Sequence, residues 1–264
     1  MTTPPGTRRN WWAMTGAERK SWINALQNAK LSGQYDVLTK THQMGMLGDA
    51  NEWHRRPIIL PVHRWFLTQL EVATGQPTPY WDWTSNRRLP PALGGDGDPT
   101  QGYLVTTGPF VNWTSVIFDT TTGGFDTRPG IIRQTGVYAA GLPTAVQLTT
   151  VLSQTVYDSS PWNPQSTTGL RNWLEGWTGL PKPAMHNRVH EWVGGDMRTS
   201  TSPNDPLFWL HHSNIDRIWA SWQQVNGVSN YAAPAGQGPD DPLPLTNGVT
   251  PSQMFPIPLY DAYL

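Results

Sequence analysis

The chain contains no cysteine. That absence excludes a disulfide framework, an iron–sulfur cluster, a thiolate zinc site and a cysteine nucleophile. Charge is also scarce. Asp, Glu, Lys and Arg make up 14% of the 264 residues, against roughly 25% in an average soluble domain. Lys plus Arg is 18 and Asp plus Glu is 19, a formal net charge of −1. A nucleic-acid binder or a polybasic membrane binder would carry a basic excess, so both readings fall away. No apolar run approaches the roughly 18 residues that a spanning helix needs. Met1 to Asn10 is rich in Thr, Pro and Arg with no apolar stretch behind it, so Arg8-Arg9 does not read as a twin-arginine signal. The expectation is a chain that is cytoplasmic, or secreted without a signal of its own.

Other residue types are plentiful. Gly and Pro number 25 each, which predicts long irregular loops. Trp 15, Tyr 8 and Phe 6 supply a packed interior rather than disorder. No internal repeat or low-complexity linker divides the chain, so 1–264 is expected to be one domain with a sizeable core.

Periodicity predicts a mainly α fold, a helical-bundle core with long irregular loops. Thr15 to Leu31 reads as a first helix, with Thr15 and Glu18 as a capping box and Trp22, Ile23, Leu26 and Ala29 as its apolar stripe. Tyr35 to Leu47 and Pro61 to Thr74 follow, the latter stopped by Gly75. Residues 75–140 read as loops, with short strands near Tyr103–Val111. Further helices are expected over Pro143–Asp158, Leu170–Trp177, Met185–Val193 and Asp205–Asn226, the last with Asn204 as a cap.

The seven histidines fall in two clusters: His42, His54 and His63, then His186, His190, His211 and His212. None lies between. His186 and His190 are four apart on a predicted helix, which puts two imidazoles on one face with Cβ atoms about 5–6 Å apart, a natural bite for one metal ion. Histidines on several facing helices commonly build a metal site in a bundle core. Imidazole suits Zn, Cu, Fe and Ni. Dinuclear zinc or iron sites usually recruit bridging carboxylates, which are sparse here, so two all-histidine clusters favour copper.

Two segments carry a family resemblance. Trp53-His54-Arg55-Arg56-Pro57 through Leu60-Pro61-Val62-His63-Arg64, then Pro79-Tyr80-Trp81-Asp82-Trp83, resembles the first copper motif of tyrosinases. His186-Asn187-Arg188-Val189-His190-Glu191-Trp192-Val193-Gly194-Gly195 and Pro203-Asn204-Asp205-Pro206-Leu207-Phe208-Trp209-Leu210-His211-His212 through Asp216-Arg217-Ile218-Trp219 resembles the second. The match is to short bacterial tyrosinases, from about residue 10 to 240. It implies a type 3 dinuclear copper polyphenol oxidase: a helical bundle that holds two copper ions, uses O2 as co-substrate and acts on small phenols.

By motif match, His42, His54 and His63 would hold the first copper, and His186, His190 and His212 the second. Helix geometry alone does not choose between His211 and His212, which point about 100° apart. Phe208, His212 and Asp216 share a stripe, and the motif picks His212. Asp205, Asp216 and Glu71 are candidates to orient ligand rings, or else helix caps and partners of Arg64 or Arg217. Glu175, in Leu174-Glu175-Gly176-Trp177, and Asn187 resemble the pair that holds a proton-accepting water, provided the Thr178–Ala184 loop bulges. Glu191, Phe208 and Ser200 fall at the substrate pocket. A Glu191 carboxylate there is expected to disfavour acidic phenols.

The resemblance implies o-hydroxylation of monophenols and oxidation of o-diphenols to o-quinones. The alternative is a catechol oxidase or o-aminophenol oxidase without monophenolase activity. A haemocyanin-type O2 carrier and a dinuclear zinc hydrolase are more remote. Without cysteine, the thioether-linked histidine of some relatives cannot form. With the sequence ending at Leu264, no capping domain is expected over the site. The resemblance allows a copper-loading helper protein as a partner, as some bacterial relatives need, and the sequence does not decide whether one exists.

Overall fold

The computed structural model describes residues 7–48, 52–256 and 263. Helix α1 spans Gly16–Leu31, α2 Gln34–Met44 and α3 Ile59–Thr74. After a long irregular stretch come strands β1, Thr114–Asp119, and β2, Gly124–Pro129. Then follow α4, Ala145–Leu152; α5, Leu170–Glu175; α6, Met185–Val193; and α7, Leu207–Asn226.

Local chemistry sets the ends. Thr15 accepts the Glu18 N–H, and Glu18 returns a bond to the Thr15 N–H at 2.6 Å, which closes the predicted capping box. Gly75 ends α3 at φ 67°, a conformation that costs glycine little. Of the twenty residues of α7, fourteen are buried, so it is the central helix rather than a surface one. It packs on α3, while α2 leans on α1 and α3, and α6 on α5 and α7. Trp22, Leu26, Phe66, Leu70, Trp209 and Trp219 fill the space between them.

Four buried arginines tie the layers together. Arg64 on α3 bonds Asp216 on α7 at 2.6 Å, and its guanidinium lies 3.8 Å from the Trp219 ring centroid. Arg8 reaches Glu71 at 2.7 Å and Asp216 at 2.7 Å. Arg133 grips Asp205 with two bonds of 2.7 and 2.8 Å and so anchors the 75–140 region to the start of α7. Arg171 bonds Asp158 at 2.7 Å.

Several expectations change. The strands lie at 114–119 and 124–129, not at 103–111. Gly108-Pro109 interrupts the earlier stretch, where Leu104 makes only isolated bridges. The backbone of β1 is held by amides instead: Asn204 bonds both the N–H and the C=O of Val116, and Gln43 bonds Val116 and Phe118. Helix α4 stops at Leu152, because the chain turns to bury Tyr157, whose hydroxyl donates to the Pro57 carbonyl. Helix α5 stops at Glu175. Gly176 follows at φ 105°, and a Cβ there would lie 2.0 Å from the Ala184 carbonyl oxygen. Asp205, not Asn204, accepts the Leu207 N–H at the start of α7.

Candidate metal centre and active site

Four helices and one loop present the histidines to one interior point. His42 stands near the end of α2 and His63 in the first turns of α3, with His54 in the preceding loop. His186 and His190 sit one turn apart on α6, and His211 and His212 on α7. The side chains of His42, His54 and His63 form one group able to hold a metal ion, and His186, His190, His211 and His212 form another. The groups face each other: the His63 and His212 rings stack with centroids 4.2 Å apart.

Hydrogen bonds fix which nitrogen is free in four of the rings. The Nδ1–H of His42 donates to the Ser200 carbonyl at 3.0 Å, and that of His63 to the Ile59 carbonyl at 2.8 Å. His190 donates in the same way to Met197, and His186 to the Asn187 side-chain oxygen at 2.9 Å. A carbonyl cannot donate, so each of these rings carries its proton on Nδ1 and leaves the Nε2 lone pair inward. The Nε2 atoms of His42 and His63 are buried with no hydrogen-bond partner.

The second group shows what such atoms fit. The Nε2 atoms of His186, His190 and His212 form a triangle with edges of 3.1, 3.3 and 3.4 Å. Nitrogens set about 2.0 Å from one ion are roughly 3.3–3.5 Å apart at tetrahedral to trigonal angles. Buried lone pairs turned on one another repel unless a cation sits among them. His211 differs: its Nδ1 accepts the Trp83 indole N–H at 3.2 Å, so in the neutral ring the proton lies on Nε2. Burial, then repulsion from neighbouring rings, lowers the pKa of all seven imidazoles, to about 3 for His42, His63 and His186. They are neutral at physiological pH, the form that binds metal.

A cavity of about 340 Å³ opens on the two groups. Met46, Trp177, Pro183 and Met197 give it apolar surface, and Glu175 and Asn187 reach it from α5 and α6. The Thr178–Ala184 loop therefore leaves room for both. Glu175 is 2% exposed. Burial raises its pKa, while Arg171 at 3.2 Å and the Arg55 N–H at 2.6 Å work against that rise.

Three pocket expectations are revised. Phe208 does not line the cavity. It is fully buried behind the histidines, with its ring centroid 4.1 Å from that of His212. Ser200 contributes its carbonyl to His42, and its neighbours Thr199 and Ser202 line the cavity instead. Glu191 lines the cavity but is paired with Arg198 at 2.7 Å, so it is not a free carboxylate. Asp205, Asp216 and Glu71 bond arginines, while backbone carbonyls and Asn187 orient the rings. Sequence reading missed the Met197 carbonyl and the Trp83–His211 bond. One signal for the first was present. At Gly195, φ is 55° and a Cβ would lie 2.1 Å from the Ile132 carbonyl oxygen, so only glycine lets the chain return to His190.

Comparison with known proteins agrees with this geometry. The profile of the common central domain of tyrosinase matches residues 32–225. The tyrosinase of Streptomyces antibioticus is 39% identical over 252 residues, covering 88% of each chain. Grixazone synthase of Streptomyces griseus is 34% identical over 256 residues, covering 82% of this chain and 83% of that one. A polyphenol oxidase of Thermothelomyces thermophila shares the fold with a TM-score of 0.63 and 24% identity, over 82% of this chain and 70% of that one. A functional unit of octopus haemocyanin does so with a TM-score of 0.64 and 21% identity, over 97% and 67%. A mainly helical fold, two facing histidine groups and these relatives converge: the chain belongs to the tyrosinase family, and it is a type 3 dicopper oxidase that uses O2.

Proposed function

We propose that this enzyme o-hydroxylates monophenols and oxidises o-diphenols to o-quinones. His42, His54 and His63 hold one copper, and His186, His190 and His212 the other. When bound, the two copper ions supply the site for O2 and the electrons that reduce it. The remaining task falls to the protein. A phenol with a pKa near 10 is ionised in only about one molecule in a thousand at pH 7, so its proton needs an acceptor.

The observation that carries the reading is the placement of Glu175 and Asn187 in one cavity wall beside His186. Both carboxylate oxygens of Glu175 are held by donors, which keeps the group oriented in spite of burial. Asn187 spends its oxygen on His186 and keeps its amide N–H groups to donate. Together they hold a water that accepts the phenol proton. Such help is typically worth about 10²–10⁴-fold. Glu175→Gln should therefore lower monophenol oxidation by about 100-fold and catechol oxidation far less, as read by oxygen uptake. Equal loss on both substrates ends the assignment.

One observation favours the alternative, an oxidase limited to diphenols or o-aminophenols. Arg171 and the Arg55 N–H already occupy Glu175, which weakens it as a base. Oxygen uptake by the wild type on a monophenol, a catechol and an o-aminophenol separates the two readings. The open cavity supports turnover over reversible O2 carriage.

The ligand choice on α7 is tested separately. His212→Ala should retain about one copper per chain and His211→Ala two, as measured by metal analysis. The opposite order would exchange their roles. The reading includes a copper-loading helper as a partner, because the ligand rings are buried and an ion must be delivered through the cavity. Among the described residues, no helix is long and apolar enough to cross a membrane.

A further inference from the structure

The cavity wall carries three cations, Arg55, Lys182 and Arg198, and two carboxylates, Glu175 and Glu191. Their pairings are unequal. Glu191 is bonded to Arg198 at 2.7 Å, and Arg198 also covers the Tyr138 ring at 3.7 Å. Glu175 is bonded to Arg171, which also holds Asp158. Arg55 and Lys182 have no carboxylate partner among the described residues, and both are exposed at the mouth. Even with Asp158 counted beside Arg171, this set of groups has an excess of positive charge.

Arg55 is also placed with care. It has φ 62°, in the left-handed region that non-glycine residues seldom adopt. Its N–H donates to Glu175, and its guanidinium lies 5.7 Å from the Trp177 ring centroid. Unfavourable backbone geometry that persists beside a reactive cavity points to a function for the side chain it aims. A phenol enters with its hydroxyl toward the histidines at the floor. In that orientation the substituent para to the hydroxyl would point to the exposed side of the cavity, where Arg55 and Lys182 lie.

We propose that Arg55 and Lys182 recognise an anionic para substituent, so that the enzyme selects phenolic carboxylates over neutral and amine-bearing phenols. This deepens the oxidase reading and rests on it. It also reverses the expectation from Glu191, whose charge is spent on Arg198. Neither cation acts on the reacting atoms, so the effect belongs in KM rather than kcat.

The test uses catechols, which makes it independent of monophenol hydroxylation. The copper-loaded enzyme is assayed on 3-(3,4-dihydroxyphenyl)propionate, 4-ethylcatechol and 2-(3,4-dihydroxyphenyl)ethylamine. The acid should exceed the amine in kcat/KM by about tenfold, the ratio set by roughly 1.4 kcal/mol. Raising salt from about 0.05 to 0.5 M should shrink that ratio as screening shortens. Lys182→Gln should raise KM for the acid about three- to fivefold, in the range of exposed ion pairs, and leave 4-ethylcatechol unchanged, and Arg55→Gln should raise KM for the acid more than it raises KM for 4-ethylcatechol. Arg55→Lys should restore most of the effect. Should the Arg55 variants fail to fold, exposed Lys182 and its charge reversal, Lys182→Glu, decide the matter. An acid-to-amine ratio at or below one, or a ratio unmoved in the Lys182 variants, overturns the proposal. If the wild type does not oxidise 4-ethylcatechol, it is the oxidase reading that fails. Calorimetric binding of 3-phenylpropionate against 2-phenylethylamine then still decides the charge preference, with tighter binding of the amine counting against it.

Discussion

Replacing His190 by alanine should leave about one copper per chain and reduce turnover by more than 100-fold. The size follows from the Nε2 triangle. His190 supplies two of its three edges, at 3.1 and 3.3 Å, and its Nδ1–H is already committed to the Met197 carbonyl. Alanine leaves two nitrogens of the triangle, and among the described residues no carboxylate belongs to that ligand group. Losing only an outer partner of a metal ligand typically costs about 10–100-fold, so losing the ligand itself must cost more. His63→Ala should do the same to the other group, because its buried Nε2 has no protein partner to lose. Metal analysis beside oxygen uptake checks both. A variant that keeps two coppers and full turnover removes its residue from the ligand set.

The second large effect concerns stability. Asp216→Ala should destabilise the fold by about 3–5 kcal/mol, the usual cost of removing one partner from a buried charge pair. Asp216 accepts from Arg64 at 2.6 Å, from Arg8 at 2.7 Å and from the Tyr263 hydroxyl. Arg8 and Arg64 are fully buried. Without Asp216, Arg8 retains Glu71, but among the described residues Arg64 keeps only neutral acceptors, the Met254 and Phe255 carbonyls and Gln223. In a chain of this size each kcal/mol moves Tm by about 2–4 °C, so a fall of roughly 10 °C is expected in a thermal scan. Asp126→Ala, exposed on β2, is the control and should change little. A fall of less than about 2 °C for Asp216→Ala would mean that the packed aromatic layers hold α3 against α7 without the ion pairs.

The two predictions mark different depths of legibility. His190 could be read from its spacing to His186 together with the motif match, because four residues on a helix bring two rings to one face whatever surrounds them. The Thr15–Glu18 box and Gly75 were equally local, and both helix ends fall where those residues place them. The partners of Asp216 could not be read. Arg8 lies 208 residues away and Arg64 lies 152 away, and no periodicity relates them. For the same reason Asp216, Asp205 and Glu71 read equally well as ring-orienting groups or as arginine partners.

The pocket divides in the same way. Glu175 and Asn187 were visible as motif residues, and they do share a cavity. Phe208 lies one turn from His212 and so must be its neighbour. Which side of the ring faced the cavity depended on how α7 is rotated against α3, and that rotation buries Phe208. Glu191 kept its charge in the sequence and lost its freedom in the fold, because Arg198 returns to it across the Gly194-Gly195 turn.

Local chemistry thus determined the helices with strong caps, the two histidine clusters and the choice of metal, since ring spacing and donor type need no tertiary partner. Tertiary structure alone decided the rest. It set which nitrogen of His42 and His190 turns inward, because the carbonyls that hold their Nδ1 atoms, those of Ser200 and Met197, lie outside their helices. It separated His211 from His212 through the Trp83 indole. It chose which cavity charges are neutralised and which stay available to a substrate, because an ion pair forms only where two chain segments meet.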